Sequence, residues 1–390
     1  MRRIPALFCL LLLGVTTGCD FFVPVNPCTD CTTTGDYLYV ANGNNTFLAG
    51  FGISTAGALS ILTNSPYNNG VAAQSLAITP TNSFLYVATT AGIFCYALSS
   101  DGAITVQNGG TAVASDVVAT SMQVDSTGNY LLAAGIGIAR AAQAIGIYQI
   151  NTSTGLLTAL TGSPLPLYTG NATTATVVTP TAMLITPNNS YVYVSLQSLG
   201  VQVLTLGTGG ALSTGTAATF LPPLKTSTTP ADYGLASDPT SKFLFVAEFN
   251  TGLRVFSIGT NGTLNEVTGS PYPTGTGPTG VVLDPTGSYV YVANKGSNNI
   301  SAFTFTLASG KLTAIAGSPF SSGGQLPIAF VNDNQKKYLA VINSGSNGSS
   351  GNNDLQLFSF DATTDGKLDP VATATIGTDP TFPSAIAATF

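Results

Sequence analysis

The 390-residue chain has no histidine and few charges: only 7% of its residues are Asp, Glu, Lys or Arg. Without histidine there is no imidazole to act as general base and none to complete a mixed Cys/His zinc site. So little charge beside abundant Gly, Ser, Thr and Asn excludes an amphipathic helix bundle. Acidic residues outnumber basic ones by 17 to 11, which excludes the basic footprint of a nucleic-acid binder. Long hydrophobic runs are missing as well. The apolar stretch from Ile4 to Val15 is too short to span a bilayer. What remains is a core buried by strands and a surface solvated by hydroxyls and amides.

Arg2-Arg3, the apolar stretch and Thr16-Thr17-Gly18-Cys19 together read as an export signal. Small residues directly before a cysteine resemble the lipobox of bacterial lipoproteins, which implies that Cys19 becomes the acylated first residue. An ordinary signal peptide cut nearby is the plainer alternative. The expected organisation is a signal over 1–18, a lipid-anchored tether over 19–33 and one folded unit over 34–390. Losing the signal leaves 9 basic against 17 acidic residues, so attachment to an anionic membrane would rest on the anchor alone. The expected address is the cell envelope, facing the periplasm or the exterior. In such an oxidising place Cys28 and Cys31 most simply close a small disulfide, while Cys95 reads as a buried small hydrophobe.

From Tyr37 on, the chain repeats itself. Residues 277–320 hold one complete unit. A short apolar run ends in Asp284-Pro285-Thr286-Gly287, a turn sequence. Tyr289 to Ala293 is apolar on both parities, as a strand covered on both faces must be. A third strand spans Ile300 to Thr306, and a fourth Leu312 to Ala316 before Gly317-Ser318-Pro319 stops it. The second-strand motif recurs at Tyr37, Phe84, Tyr130, Tyr191, Phe243, Tyr289 and Tyr338, at spacings of 47, 46, 61, 52, 46 and 49 residues. Four times a Gly is followed eight residues later by Ser-Pro: Gly57/Ser65, Gly155/Ser163, Gly262/Ser270 and Gly310/Ser318. Seven four-stranded antiparallel units predict an all-β, seven-bladed propeller. The first copy lacks a first strand and Pro383 to Thr389 matches one, so the C-terminal segment is expected to close the ring inside the N-terminal blade.

These motifs, Y-[VL]-Y-V-A with D-P-x-G turns and G-x-L…S-P endings, resemble the lactonase-type seven-bladed propellers and the related YVTN-repeat surface proteins over residues 34–390. The resemblance implies the fold and, for activity, 6-phosphogluconolactonase and muconate-cyclising relatives. Relatives credited with such chemistry use histidine, acidic and arginine residues around the channel. This chain has no histidine, so no complete catalytic set carries over.

The turns between first and second strands, and between third and fourth, are tight in nearly every copy. Length variation collects on the opposite face, where a site is expected at the mouth of the central channel. Glu248, Arg254, Asp232, Arg140 and Lys295 are the charged residues that loop position assigns to it. They read as a carboxylate and guanidinium cluster orienting an ester or sugar, or, for Glu248 and Arg254, as a plain hairpin ion pair. Asn343 to Asp354, with one carboxylate, carries no calcium pattern. No metal and no cofactor is expected. Two functions compete. One is an anchored monomeric binding or surface-scaffold propeller contacting a glycan, peptide or protein, with no nucleic acid. The other is a lactonase with Glu248 as base and Arg254 or Arg140 as electrostatic partner.

Overall fold

A computed structural model describes residues 35–43, 46–168, 177–214, 220–221, 233–345, 354–360, 366–371 and 383–390. Cys19, Cys28, Cys31 and Asp232 lie outside these. Seven antiparallel sheets stand around a central channel. Blade 6 runs outward through Pro278–Leu283, Tyr289–Asn294, Asn299–Thr306 and Lys311–Ala314. Its fourth strand is shorter than the sequence suggested. In blade 1 the innermost strand is Pro383–Ala388, antiparallel to Tyr37–Asn42 with Leu38 opposite Ala388 and Ala41 opposite Ala385. The ring therefore closes by strand pairing and leaves no open edge at the seam.

Each repeated motif has a mechanical role. Asp284 Oδ1 accepts the N–H groups of Ser288 and Tyr289, both at 2.7 Å, while Oδ2 accepts the N–H and hydroxyl of Thr286. One carboxylate thus ties up the turn and launches the second strand. Asp125 and Asp238 do the same, Asp333 does so through Oδ1 alone, and Thr79 and Thr186 substitute a hydroxyl. The Ser-Pro serines turn their hydroxyl oxygens to the third strand. Ser65, Ser163, Ser270 and Ser318 accept the N–H of Gly50, Ile147, Val255 and Ala302 at 2.9–3.1 Å. Rather than stopping the blade, they re-aim it: in blades 1, 3 and 6 a two-residue strand follows and returns to the third strand.

One contact recurs between every pair of neighbouring blades. The third-to-fourth turn of every blade carries a glycine at φ 71–79°, from Gly57 in blade 1 to Gly366 in blade 7. A Cβ there would sit 2.3–2.8 Å from the leading aromatic side chain of the preceding blade's second strand: Tyr37 against Gly102, Tyr191 against Gly262, Tyr289 against Gly366. Only glycine permits both that backbone and that approach. The next aromatic along donates its hydroxyl to the same glycine's carbonyl, as in Tyr39 to Gly102 at 2.6 Å and Tyr86 to Gly155 at 2.9 Å. Between these polar locks the blade faces interdigitate apolar side chains, odd positions of a second strand against one neighbour and even positions against the other. Cys95 sits in such a layer, where burial pushes its thiol up to about 12.

At the seam between blades 7 and 1, two buried carboxyl groups meet. Asp36 accepts the Asn334 N–H at 3.1 Å and faces Gln335, with Asp333 beside it. Burial, reinforced by the charge of Asp333, raises Asp36 from 3.8 to about 7. Between those values the folded chain holds a proton that the unfolded chain has released, so this group's contribution to stability falls as pH rises. Asp36→Asn should therefore gain on wild type progressively between pH 4 and pH 7 in thermal unfolding. A difference independent of pH would refute a shared proton at the seam.

Candidate active site

The channel mouth on the variable face is shaped by a backbone irregularity. Where the innermost strands enter, the register slips by one residue against the second strand. The slip falls between Ala73 and Ser75, Pro278 and Gly280, and Pro327 and Ala329, and also opposite Ala41/Asn42 and Ala134/Gly135. A bulge of this kind inserts one unpaired residue and re-aims its side chain. Thr120, Thr279, Ser384 and Ile328 occupy the slips and line a cavity of about 550 Å³ together with Thr181, Gln197 and Lys295. Its floor is Leu235, Val281 and Phe330.

The hydroxyls of this ring are tied to the backbone of the next blade. Thr120 donates to the Pro180 carbonyl at 2.6 Å, Thr279 to Pro327 at 3.2 Å and Ser384 to Ala73 at 2.8 Å. Lys295 rises from the turn after the second strand of blade 6, pinned through its own N–H to the Gly277 carbonyl at 2.8 Å. It is the one charged side chain among the described residues that line this cavity. A half-buried ammonium above an apolar floor and a polar wall can polarise a carbonyl and stabilise the negative charge that builds on it.

A larger cavity, about 1130 Å³, opens on the opposite face and meets the first at Leu235, Val281 and Phe330. Its walls are alkyl groups and turn prolines, with Gln123, Asn189, Asn332 and Lys336 among them. The carboxylates at its rim, Asp284 and Asp333, are already engaged by turn N–H groups. Size therefore does not identify the site. Each cavity is lined by one lysine, but Lys336 of the larger sits in the tight turn capped by Asp333, whereas Lys295 shares the smaller mouth with the bulged hydroxyls.

The other candidates are placed differently. Glu248 and Arg254 do come together, Nη1 to Oε2 at 3.7 Å, but inside a blade, at 3% and 5% exposure. Glu266 on the fourth strand, which sequence reasoning missed, grips the guanidinium in a fork at 3.0 and 2.9 Å, and the fork holds the Glu266 carboxyl below its usual range. Arg254 also stacks 4.7 Å over the Phe256 ring. None of these residues lines either cavity. Arg140 is exposed at the hairpin tip between Tyr130–Gly137 and Ala142–Ile150. The asparagines aligned with Glu248 act as caps: Asn294 donates to Asn299 at 2.8 Å and Ser301 at 2.9 Å. The bulge hydroxyls were also missed. Pro278-Thr279-Gly280, Pro327-Ile328-Ala329 and Pro383-Ser384-Ala385 share a Pro-x-[Gly/Ala] entry, the signal that would have found them.

Known proteins agree with this architecture. The family model described as "Lactonase, 7-bladed beta-propeller" matches residues 268–382. A 6-phosphogluconolactonase of Serratia proteamaculans is 26% identical over 324 residues, covering 73% of this chain and 96% of the relative. Among solved structures, a putative 6-phosphogluconolactonase from Bacteroides fragilis superposes with a TM-score of 0.69 at 18% identity, over 92% of this chain and 99% of its own. A periplasmic gluconolactonase from Pseudomonas aeruginosa gives 0.66 at 16%, over 91% and 99%. The structural likenesses show the fold. The family match and the full-length relative overturn the expectation of a binding or surface-scaffold propeller, because both carry the name of a hydrolase. Blade count, strand order and repeat motifs make the chain a seven-bladed β-propeller, similar over residues 268–382 to the lactonase propellers.

Proposed function

We propose that this chain is a lactonase of the cell envelope that opens a sugar-type lactone at the channel mouth of the variable face. The observation that carries the reading is Lys295 at a concave, polar-walled mouth, in a chain aligned over 96% of a relative named 6-phosphogluconolactonase. Water adds to the lactone carbonyl carbon, and the oxyanion that forms meets the Lys295 ammonium. Collapse of the tetrahedral intermediate breaks the bond to the ring oxygen, which takes up a proton and leaves as the hydroxyl of a hydroxy acid. A sugar lactone is a reactive ester, so one well-placed cation and water supply much of what the step needs.

The envelope address rests on the N-terminal signal and Cys19. Gly35 and Asp36 stand on the tight-turn face, beside Thr389 and Asn334. The test measures lactone opening above the spontaneous rate, for gluconolactone and 6-phosphogluconolactone, in membrane and soluble fractions of cells expressing wild type or Cys19→Ala. Activity that follows the membranes in wild type and moves to the soluble fraction in the variant is expected. No acceleration of either lactone would overturn the enzyme, and unchanged partition would overturn the anchor.

A further inference from the structure

We infer that the hydroxyl ring at the channel mouth selects an uncharged sugar lactone over its phosphorylated counterpart, an inference that rests on the lactonase reading for the identity of the site. A hydroxyl has one hydrogen to give and two lone pairs to offer. At Thr120, Thr279 and Ser384 the hydrogen is committed to the carbonyls of Pro180, Pro327 and Ala73. These carbonyls belong to the neighbouring blade in each case, so the donation is part of what seats the innermost strands. What each side chain can still present to the cavity is lone pairs. The three hydroxyls are acceptors held in place by the fold, beside the Gln197 amide, which spends one N–H on the Thr179 carbonyl at 2.8 Å.

Such a wall suits a polyol, whose hydroxyls have hydrogens to donate. It opposes a phosphate dianion, which has only lone pairs of its own and would face acceptors across the mouth. Phosphate sites are built from forked guanidinium groups, backbone nests or helix N-termini. Among the described lining residues the only cation is Lys295, and among the described residues there is no α-helix at all. If Lys295 meets the lactone carbonyl, no described cation lining the mouth is left for a phosphate at the far end of the sugar. The net charge of −6 works in the same direction.

The experiment uses two ligands that the enzyme cannot hydrolyse, so binding is read independently of turnover. The mature wild-type chain is titrated calorimetrically with 1,5-anhydroglucitol and with its 6-phosphate. The neutral ligand should bind about tenfold tighter or more, the margin expected when hydrogen-bonding groups are matched rather than opposed. Thr279→Val and Ser384→Ala remove one acceptor each, and should weaken the neutral ligand by about three- to tenfold while leaving the phosphate less disfavoured. Equal or tighter binding of the 6-phosphate, absence of binding by the neutral ligand, or indifference to both substitutions would overturn the inference. Selective binding without any lactone turnover would instead sink the catalytic reading and leave this one standing.

Discussion

A chain cut after residue 382 should lose its ring. The segment removed supplies the innermost strand of blade 1, paired with the second strand from Leu38 to Asn42. It also carries Thr389, whose Oγ accepts the Tyr37 N–H at 2.9 Å and donates to the Gly35 carbonyl at 3.0 Å. Phe390 and Asn82 exchange two further bonds at 2.9 Å with blade 2. Deletion therefore unpairs a five-position ladder, uncovers the fully buried Tyr39 and Leu38 and exposes a strand edge to other chains. The expected loss is about 5 kcal/mol or more, comparable with the whole stability of an ordinary domain, seen as aggregation or as an unfolding transition far below that of wild type. A graded variant keeps the test informative if the truncation yields no folded protein. Thr389→Val removes two hydrogen bonds while keeping shape, and should cost about 1–3 kcal/mol. Wild-type melting in both variants would mean that the seam does not carry the ring.

Blade number, turn positions and ring closure were legible in the sequence because each depends on a side chain whose identity cannot vary freely. A glycine at positive φ against a neighbour's aromatic ring, an aspartate that caps four groups of one turn, and a serine that reaches back to the third strand each leave a residue at a fixed offset. The seven-fold repetition then reports the phase. The site was less legible for a physical reason. Its wall is made by a backbone irregularity, and Thr120, Thr279 and Ser384 are ordinary hydroxyl residues until the register slip turns them into the channel. Glu248 and Arg254 stood out because charge is scarce here, but scarcity also marks a buried structural pair, and Glu266 completes that pair from a strand twelve residues beyond Arg254.

The two kinds of charge give opposite expectations on substitution, and Lys295 supplies the sharper one. Its backbone is anchored through the N–H to Gly277, and the side chain is half-buried at the mouth. Replacing it by methionine keeps the length and removes the donor and the charge. Folding should be affected by about 1 kcal/mol or less, the range for a partly exposed charge with its contacts. Lactone opening should fall by about 10²–10³-fold in kcat, the loss typical of one oxyanion donor, with KM changed far less because the charge it meets develops mainly in the transition state. Lys295→Arg should keep part of the rate, since a cation remains though its geometry differs. Arg254→Met serves as the contrast. It removes the cation beside Glu248, at 3% exposure, and from the more exposed Glu266, and should cost about 3 kcal/mol of stability, as removing the partner of a buried charge does. Steady-state kinetics beside thermal unfolding on the three variants separates the roles. Full activity in Lys295→Met would remove the lysine from the mechanism, and a fall in Tm equal to that of Arg254→Met would make it structural.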